Sequence, residues 1–344
     1  MPALSVLDLV PIRTDQRTGD ALAASRSLAR VADELGYTRY WVAEHHNMPA
    51  VAATNPPVLM AMLAAATERI KVGSGGVMLP NHAPLVVAEQ FALLEAAYPG
   101  RIDLGIGRAP GTDMLTRYVL RGGSAQSADD AVARFPEYVD DVITLMSTEG
   151  VEMQIGPRRQ PLRATPGAVS VPDVWLLGSS DYSARLAADR GLPYVFAHHF
   201  SGDGTAEALA LYRSSYRPSP EHPEPRTFLT VNACVAESAE EARALALPQV
   251  QAMVAIVTGG ELHPQRLVEE AEEVGLAPQH QALAEGMLRR WVVDEPEAAR
   301  ARIAGLATTH GVDEVMVHPV AGARRGTPTH ASPAREQTLR FLAG

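Results

Sequence analysis

The sequence contains one cysteine, Cys234, and one lysine, Lys71, in 344 residues. A lone cysteine excludes an intramolecular disulfide and any cysteine-based zinc cluster, and it fits a reducing, cytoplasmic setting. No apolar run approaches the length that crosses a bilayer, and Met1-Pro2-Ala3-Leu4 carries no basic leader segment. Neither membrane insertion nor secretion is therefore expected. Positive charge is also scarce: 30 Lys+Arg face 40 Asp+Glu, for a formal charge of −10. Such a chain repels polyanions on average, which argues against a nucleic-acid partner. The near-absence of lysine beside abundant arginine and alanine reads as codon bias rather than chemistry. With 46% hydrophobic and 20% charged residues, disorder and a coiled coil are excluded.

What is present is an alternation of two segment types. Strand patterns run over Leu4–Leu9, Tyr40–Ala43, Lys71–Met78, Arg101–Ile106, Asp173–Leu177, Tyr194–Ala197, Thr227–Val235 and Glu314–Val317. Helical patterns separate them, including Asp20–Leu35, Pro56–Thr67, Pro84–Ala97 and Asp129–Met146,. Gly36 and Gly100 follow the first and third helices, and Pro56 opens the second,. Eight strands, each followed by a helix, spell an α/β fold of the (β/α)8 TIM-barrel class. No stretch rich in Gly, Ser or charge divides the chain, so residues 1–344 read as a single domain. Two segments exceed a minimal barrel: 150–171, a Pro- and Arg-rich surface excursion after the fourth strand unit, and 247–290, a helical insertion after the seventh strand and a candidate lid. The turn Gly105-Ile106-Gly107-Arg108-Ala109-Pro110-Gly111 fails as a dinucleotide fingerprint, because Pro110 interrupts the helix that should start there and the third glycine falls late,.

Barrels of this class carry their chemistry at the C-terminal ends of the strands. Those ends hold Glu44-His45-His46, Gly75-Gly76 with Asn81-His82, Gly107-Arg108, Gly178-Ser179-Ser180-Asp181, His198-His199, Asn232 and His318-Pro319. Each has an ordinary explanation alone: a loop hydrogen bond, a surface ion pair, a helix cap. The topology sends all of them to one rim. Ser179 and Ser180 at a helix start, with Arg108 from the neighbouring strand, suit a phosphate. Gly75 and Gly76 remove side chains where a flat ring could approach the backbone. A flavin has both parts.

The segments Trp41-Val42-Ala43-Glu44-His45-His46, Val72-Gly73-Ser74-Gly75-Gly76-Val77-Met78-Leu79-Pro80-Asn81-His82, Pro99 to Gly111, Leu177-Gly178-Ser179-Ser180 and Gly311 to Val317 together resemble the bacterial luciferase-like flavin monooxygenase family, in its single-chain, non-luminescent form. The resemblance implies a non-prolyl cis peptide at Gly75-Gly76 beneath the flavin ring and phosphate binding by Arg108, Ser179 and a second arginine, Arg134. It also implies a proton-handling role for His45. Gly107 stands where the luciferase catalytic subunit has a reactive cysteine, so neither light emission nor the long-chain aldehyde substrate is expected. The expected activity is a monooxygenase that takes reduced FMN from a separate flavin reductase, reacts it with O2 to a flavin hydroperoxide, and oxygenates a small organic substrate. Rivals are a deazaflavin-dependent hydride-transfer enzyme, a metal-dependent hydrolase using Glu44-His45-His46 and His198-His199, and a flavin-binding protein without turnover. The apolar girth of the helix at Pro56–Thr67 points to a homodimer.

Overall fold

The computed structural model describes residues 1–109, 113–200 and 202–344; Pro110 and Gly111 of the fourth-strand motif lie outside them. Eight parallel strands close a barrel: β1 (Ala3–Asp8), β2 (Arg39–Val42), β3 (Lys71–Ser74) with its continuation β4 (Val77–Met78), β5 (Ile102–Gly107), β8 (Asp173–Gly178), β9 (Tyr194–Phe196), β10 (Thr227–Val235) and β12 (Glu314–Pro319). Closure is made by β1 on β12, with Ala3 opposite Glu314, and by β9 on β10, with Tyr194 opposite Thr227. The (β/α)8 expectation holds. The expected strand at Lys71–Met78 is interrupted, because the Gly75-Gly76 peptide is cis and turns the chain between β3 and β4.

Around the barrel run α1 (Thr18–Glu34), α2 (Pro56–Ala64), α3 (Pro84–Ala97), α4 (Met114–Leu120), α5 (Ala125–Ala133), α6 (Phe135–Met146), α7 (Asp181–Arg190) and α8 (Thr205–Ser215). The helix expected over Asp129–Met146 is broken at Arg134, where Pro136 at the second position of α6 starts a new helix,. The surface excursion is an antiparallel hairpin of β6 (Val151–Ile155) and β7 (Arg158–Leu162). The longer insertion comprises α9 (Ala239–Thr258), α10 (Val268–Val274) and α11 (Gln281–Arg290), followed by a short strand not expected from the sequence, β11 (Val292–Asp294), which pairs with the end of β10. Ser238 caps α9 by accepting from the Glu241 N–H,. Helices α12 (Pro296–His310) and α13 (Pro333–Ala343) complete the chain. None of the described helices is long and apolar enough to cross a membrane.

The barrel interior is filled by Leu7, Trp41, Trp175, Val195, Phe228 and Met316, with the Trp41, Trp175 and Phe228 rings 5.0–5.9 Å apart. Beneath them the Arg39 guanidinium bridges Asp103 at 2.6 Å and Glu314 at 2.7 Å while lying over Trp175. These buried charges satisfy one another, so they close the N-terminal end of the barrel without orphaned ions. The opposite end stays open. Along its rim Asp8 accepts from Ser25, Tyr40 and Arg335, a fully buried set that fixes the β1 end against α13.

Candidate active site

His45, Gly75, Gly76, Gly107, Arg108, Gly178, Ser179 and Ser180 line one cavity at the C-terminal mouth of the barrel. Leu7, Trp41, Leu177, Val195 and Met316 form its apolar floor, and Ser183, His199 and Thr230 join the wall. Arg134 is placed elsewhere. It precedes α6, half-exposed, with its guanidinium 2.8 Å from Glu137 and stacked on Tyr138, and it does not border the cavity.

One end of the cavity gathers unpaired hydrogen-bond donors among the described residues. Ser180 is the N-cap residue of α7, yet its hydroxyl makes no capping hydrogen bond. The first amides of that helix are thus left without a side-chain acceptor, at the positive end of the helix dipole. The Arg108 guanidinium lies 3.9 Å from the centre of the Tyr182 ring on the same helix. No carboxylate among the described residues pairs with it, in a protein whose arginines are otherwise commonly paired. A fork of donors stacked on an aromatic face beside free helix amides can accept an anionic group.

The other end is a cradle without side chains. A Cβ on Gly76 would lie 2.8 Å from the Gly105 carbonyl oxygen, and one on Gly75 would lie 2.9 Å from Leu7 Cδ1. At Gly178 it would meet Ser183 Oγ at 2.5 Å. Gly107 differs, since the nearest atom to an added Cβ is Met78 Sδ at 3.8 Å. Gly76→Ala should therefore cost about 1–3 kcal/mol of stability, because the opposing atom is backbone and cannot rotate away. Gly107→Ala should cost less than about 0.5 kcal/mol. Paired urea unfolding curves test the contrast, and equal costs at the two positions would contradict it.

The loop that carries His45 is clamped by its neighbour. Glu44 is fully buried, and its Oε1 accepts from His46 at 2.8 Å and His82 at 2.7 Å while Oε2 accepts from the Met78 N–H. Burial opposes its ionisation, but the hydrogen bonds from His46, His82 and Met78 prevail and hold its pKa at about 2,. The sequence reading missed this clamp, although Glu44, His46 and His82 were all visible at strand ends. It ties the β2 loop to the strand just beyond Gly76. Glu44, His46 and His82 are also the only group among the described residues close enough to share a metal ion, and their contacts are those of a carboxylate receiving two imidazoles. The set expected for a metal hydrolase does not converge: His198 turns to Thr205 at 2.8 Å and packs on His310, away from the cavity.

His45 itself is left with a buried Nδ1 that has no partner among the described residues. Burial is the main influence on its ionisation and lowers the pKa below the ordinary imidazole value, with the Glu44 charge opposing. His199 is pushed down to about 3 by complete burial, with smaller contributions from His198 and His45. Both rings are therefore neutral near pH 7. His45 also borders a second chamber of about 280 Å³, enclosed by Leu9, Met48, Phe200, Met253 and Ile256 among others and floored by His318. The two spaces share Leu9, His45 and Phe200, so they meet at His45.

Comparison with known proteins places this architecture. The family model for luciferase-like monooxygenases matches residues 3–314. The chain belongs to the luciferase-like monooxygenase family. Members are oxidoreductases. A protein of Escherichia coli strain K12 named luciferase-like monooxygenase is 39% identical over 318 residues, covering 92% of this chain and 91% of the relative. The crystal structure of apo-MsnO8 superposes with a TM-score of 0.86 at 33% identity, covering 100% of this chain and 98% of that one. More distant structures share the fold. The oxygenating constituent of 3,6-diketocamphane monooxygenase from Pseudomonas putida, in complex with FMN, has a TM-score of 0.73 at 17% identity, with 100% and 97% covered. An F420-dependent secondary alcohol dehydrogenase has 0.67 at 14%, with 99% of each chain covered. Neighbours of this fold thus hold FMN or F420.

Proposed function

We propose that the protein is a flavin-dependent monooxygenase that binds reduced FMN, delivered by a separate reductase, and uses O2 to oxygenate a small organic substrate. The observation that carries this reading is the pairing, in one cavity, of an arginine with no carboxylate partner among the described residues, beside uncapped helix amides, with Gly75 and Gly76, where an added Cβ would lie within 3 Å of neighbouring atoms. Those two ends match a phosphate and a planar ring. Arg108 and Ser179, with the first amides of α7, would hold the phosphate, and Gly75-Gly76 would lie against the ring, with Gly107 leaving the space above it open. When bound, the reduced flavin supplies the two electrons that activate oxygen.

The chain's own residues bind, exclude water and manage a proton. The apolar floor excludes water from the ring. His45 holds or releases a proton at the face shared by the two chambers, and Glu44 with His46 and His82 keeps its loop in place. The insertion at 247–290 walls the substrate chamber with Met253, Ile256 and Leu262 and closes it after the substrate enters.

Parallel anaerobic titrations with photoreduced FMN and with a reduced deazaflavin test the reading. Tight binding of FMN is expected, followed, on an oxygen pulse, by re-oxidation slower than that of free reduced FMN. Binding of the deazaflavin alone would replace the oxygenase reading with hydride transfer. We also propose that the protein is a homodimer. Val58, Val86 and Leu93 on the outer faces of α2 and α3 are about half-exposed, and a second copy would cover them. A one-chain mass in light scattering would contradict this.

A further inference from the structure

The floor of the second chamber contains a side chain whose hydrogen-bonding state is fixed by its neighbours. The Asn232 amide lies between two strand ends. Its Nδ2 is 2.9 Å from the His199 carbonyl oxygen, and its Oδ1 is 2.8 Å from His318 Nδ1. A carbonyl oxygen only accepts, so the amide nitrogen must face His199 and the amide oxygen must face His318. That oxygen also only accepts. His318 Nδ1 must therefore carry the hydrogen.

The His318 ring is neutral at physiological pH. Complete burial is the largest influence and, with the Arg335 charge and the neighbouring His199 and His45, pushes its pKa down to about 3, while Asp8 opposes,. A neutral ring protonated at Nδ1 has a bare lone pair at Nε2, and Nε2 has no hydrogen-bond partner among the described residues. The amide side chains of the chamber wall are already engaged, while His45 Nδ1, at the boundary with the first cavity, is another unpartnered ring nitrogen of the lining among the described residues. Gln251 donates to the Ala271 and Gly275 carbonyls and accepts from Arg266, and Gln265 donates to Gln249. Most of the remaining lining is apolar.

We propose that His318 Nε2 is the acceptor that orients the substrate, and that the substrate is an uncharged, largely apolar molecule with one hydroxyl or N–H donor placed against it. This rests on the reading of the second chamber as the substrate's. Asn232 is the positioning residue: it holds His318 in the accepting tautomer and, through the His199 carbonyl, ties the substrate chamber to the wall of the first cavity. Among the described residues the chamber's one lining carboxylate, Glu261, is exposed and lies 3.7 Å from His263 rather than at His318, so the floor offers a cation no carboxylate partner, and a carboxylate substrate would meet a lone pair there. A substrate without a donor leaves a buried acceptor unpaired, which is the basis of discrimination at such sites.

The test uses the full chain and two matched probes, 1-naphthol and 1-methoxynaphthalene, in the second of which a methyl group replaces the donor hydrogen. Their affinities are measured by quenching of tryptophan fluorescence, with an FMN titration run on the same preparation. The parent should bind the naphthol at least about tenfold more tightly than the ether. His318→Phe should erase that preference while binding the ether as well as the parent does, and Asn232→Leu should reduce it. Nitrogen-15 spectra of histidine-labelled parent protein, with the His318 signal identified by its loss in the variant, should report a neutral ring protonated at Nδ1. Equal affinity for the two probes, no binding of either, or a ring protonated at Nε2 would each overturn the proposal. The flavin reading is judged separately by the FMN titration, so failure of one is distinguishable from failure of the other.

Discussion

In the complex with reduced FMN, replacing His45 by alanine is expected to remove the pH dependence of the reaction with oxygen. The parent's return to oxidised flavin after an oxygen pulse should accelerate as pH falls through one ionisation lying below 6.5, since burial lowers the His45 pKa. Above that ionisation the ring is neutral, and below it the imidazolium can deliver a proton. A positioned general acid contributes about 10²–10⁴-fold to such a step. The His45→Ala rate should therefore be flat with pH and about a hundredfold lower at the acid end. His45→Gln, which keeps the bulk and cannot carry the proton, should behave like alanine. Because His45 sits between the two chambers rather than at the anion end, binding of reduced FMN should change by less than about threefold. Stopped-flow absorbance across pH measures all of this, and a retained acid limb in His45→Gln would remove the residue from proton transfer.

Arg108→Ala is expected to weaken binding of reduced FMN by about ten- to a hundredfold, the range for losing charge-assisted hydrogen bonds to a phosphate. Riboflavin has no phosphate, so its affinity should not move. The preference for FMN over riboflavin should thus collapse in the variant. Arg108→Lys keeps the charge but loses the planar fork and the stacking on Tyr182, and it should fall between the two. Comparable losses for FMN and riboflavin would mean that Arg108 supports the cavity rather than the anion.

The barrel was legible because its strands are short apolar runs, and its helices begin and end on residues with strong local preferences, such as the Asn55 cap and the opening Pro56 of α2 and Gly191 after α7. The rim was legible for a topological reason: residues just past consecutive parallel strands must meet. That argument brought His45, Gly75, Gly76, Arg108 and Ser179 to one cavity without any knowledge of their contacts. It could not say which way a side chain turns within a loop. His198 and His199 are adjacent, yet one bonds Thr205 outside the cavity and the other bonds Thr230 within it. Arg134 had no strand end to place it, and it stacks on the surface of α6.

Buried charge was the least legible feature. Arg39, Asp103 and Glu314 lie in strands, where a charged residue normally marks a solvent-facing position, and only the closed barrel reveals that they neutralise one another. The same holds for the Glu44 clamp, whose two histidines are separated by 36 residues and meet on one oxygen. Asn232 and His318 were each noticed at strand ends, but the amide that couples them needs the β10–β12 register, which sets them directly opposite each other.

A crystal of the protein soaked with FMN tests the central claim most directly. The phosphate is expected against the Arg108 guanidinium and the first amides of α7, with the ring system lying on the Gly75-Gly76 peptide. Density for the phosphate elsewhere, or a cavity left empty at saturating FMN, would contradict the assignment.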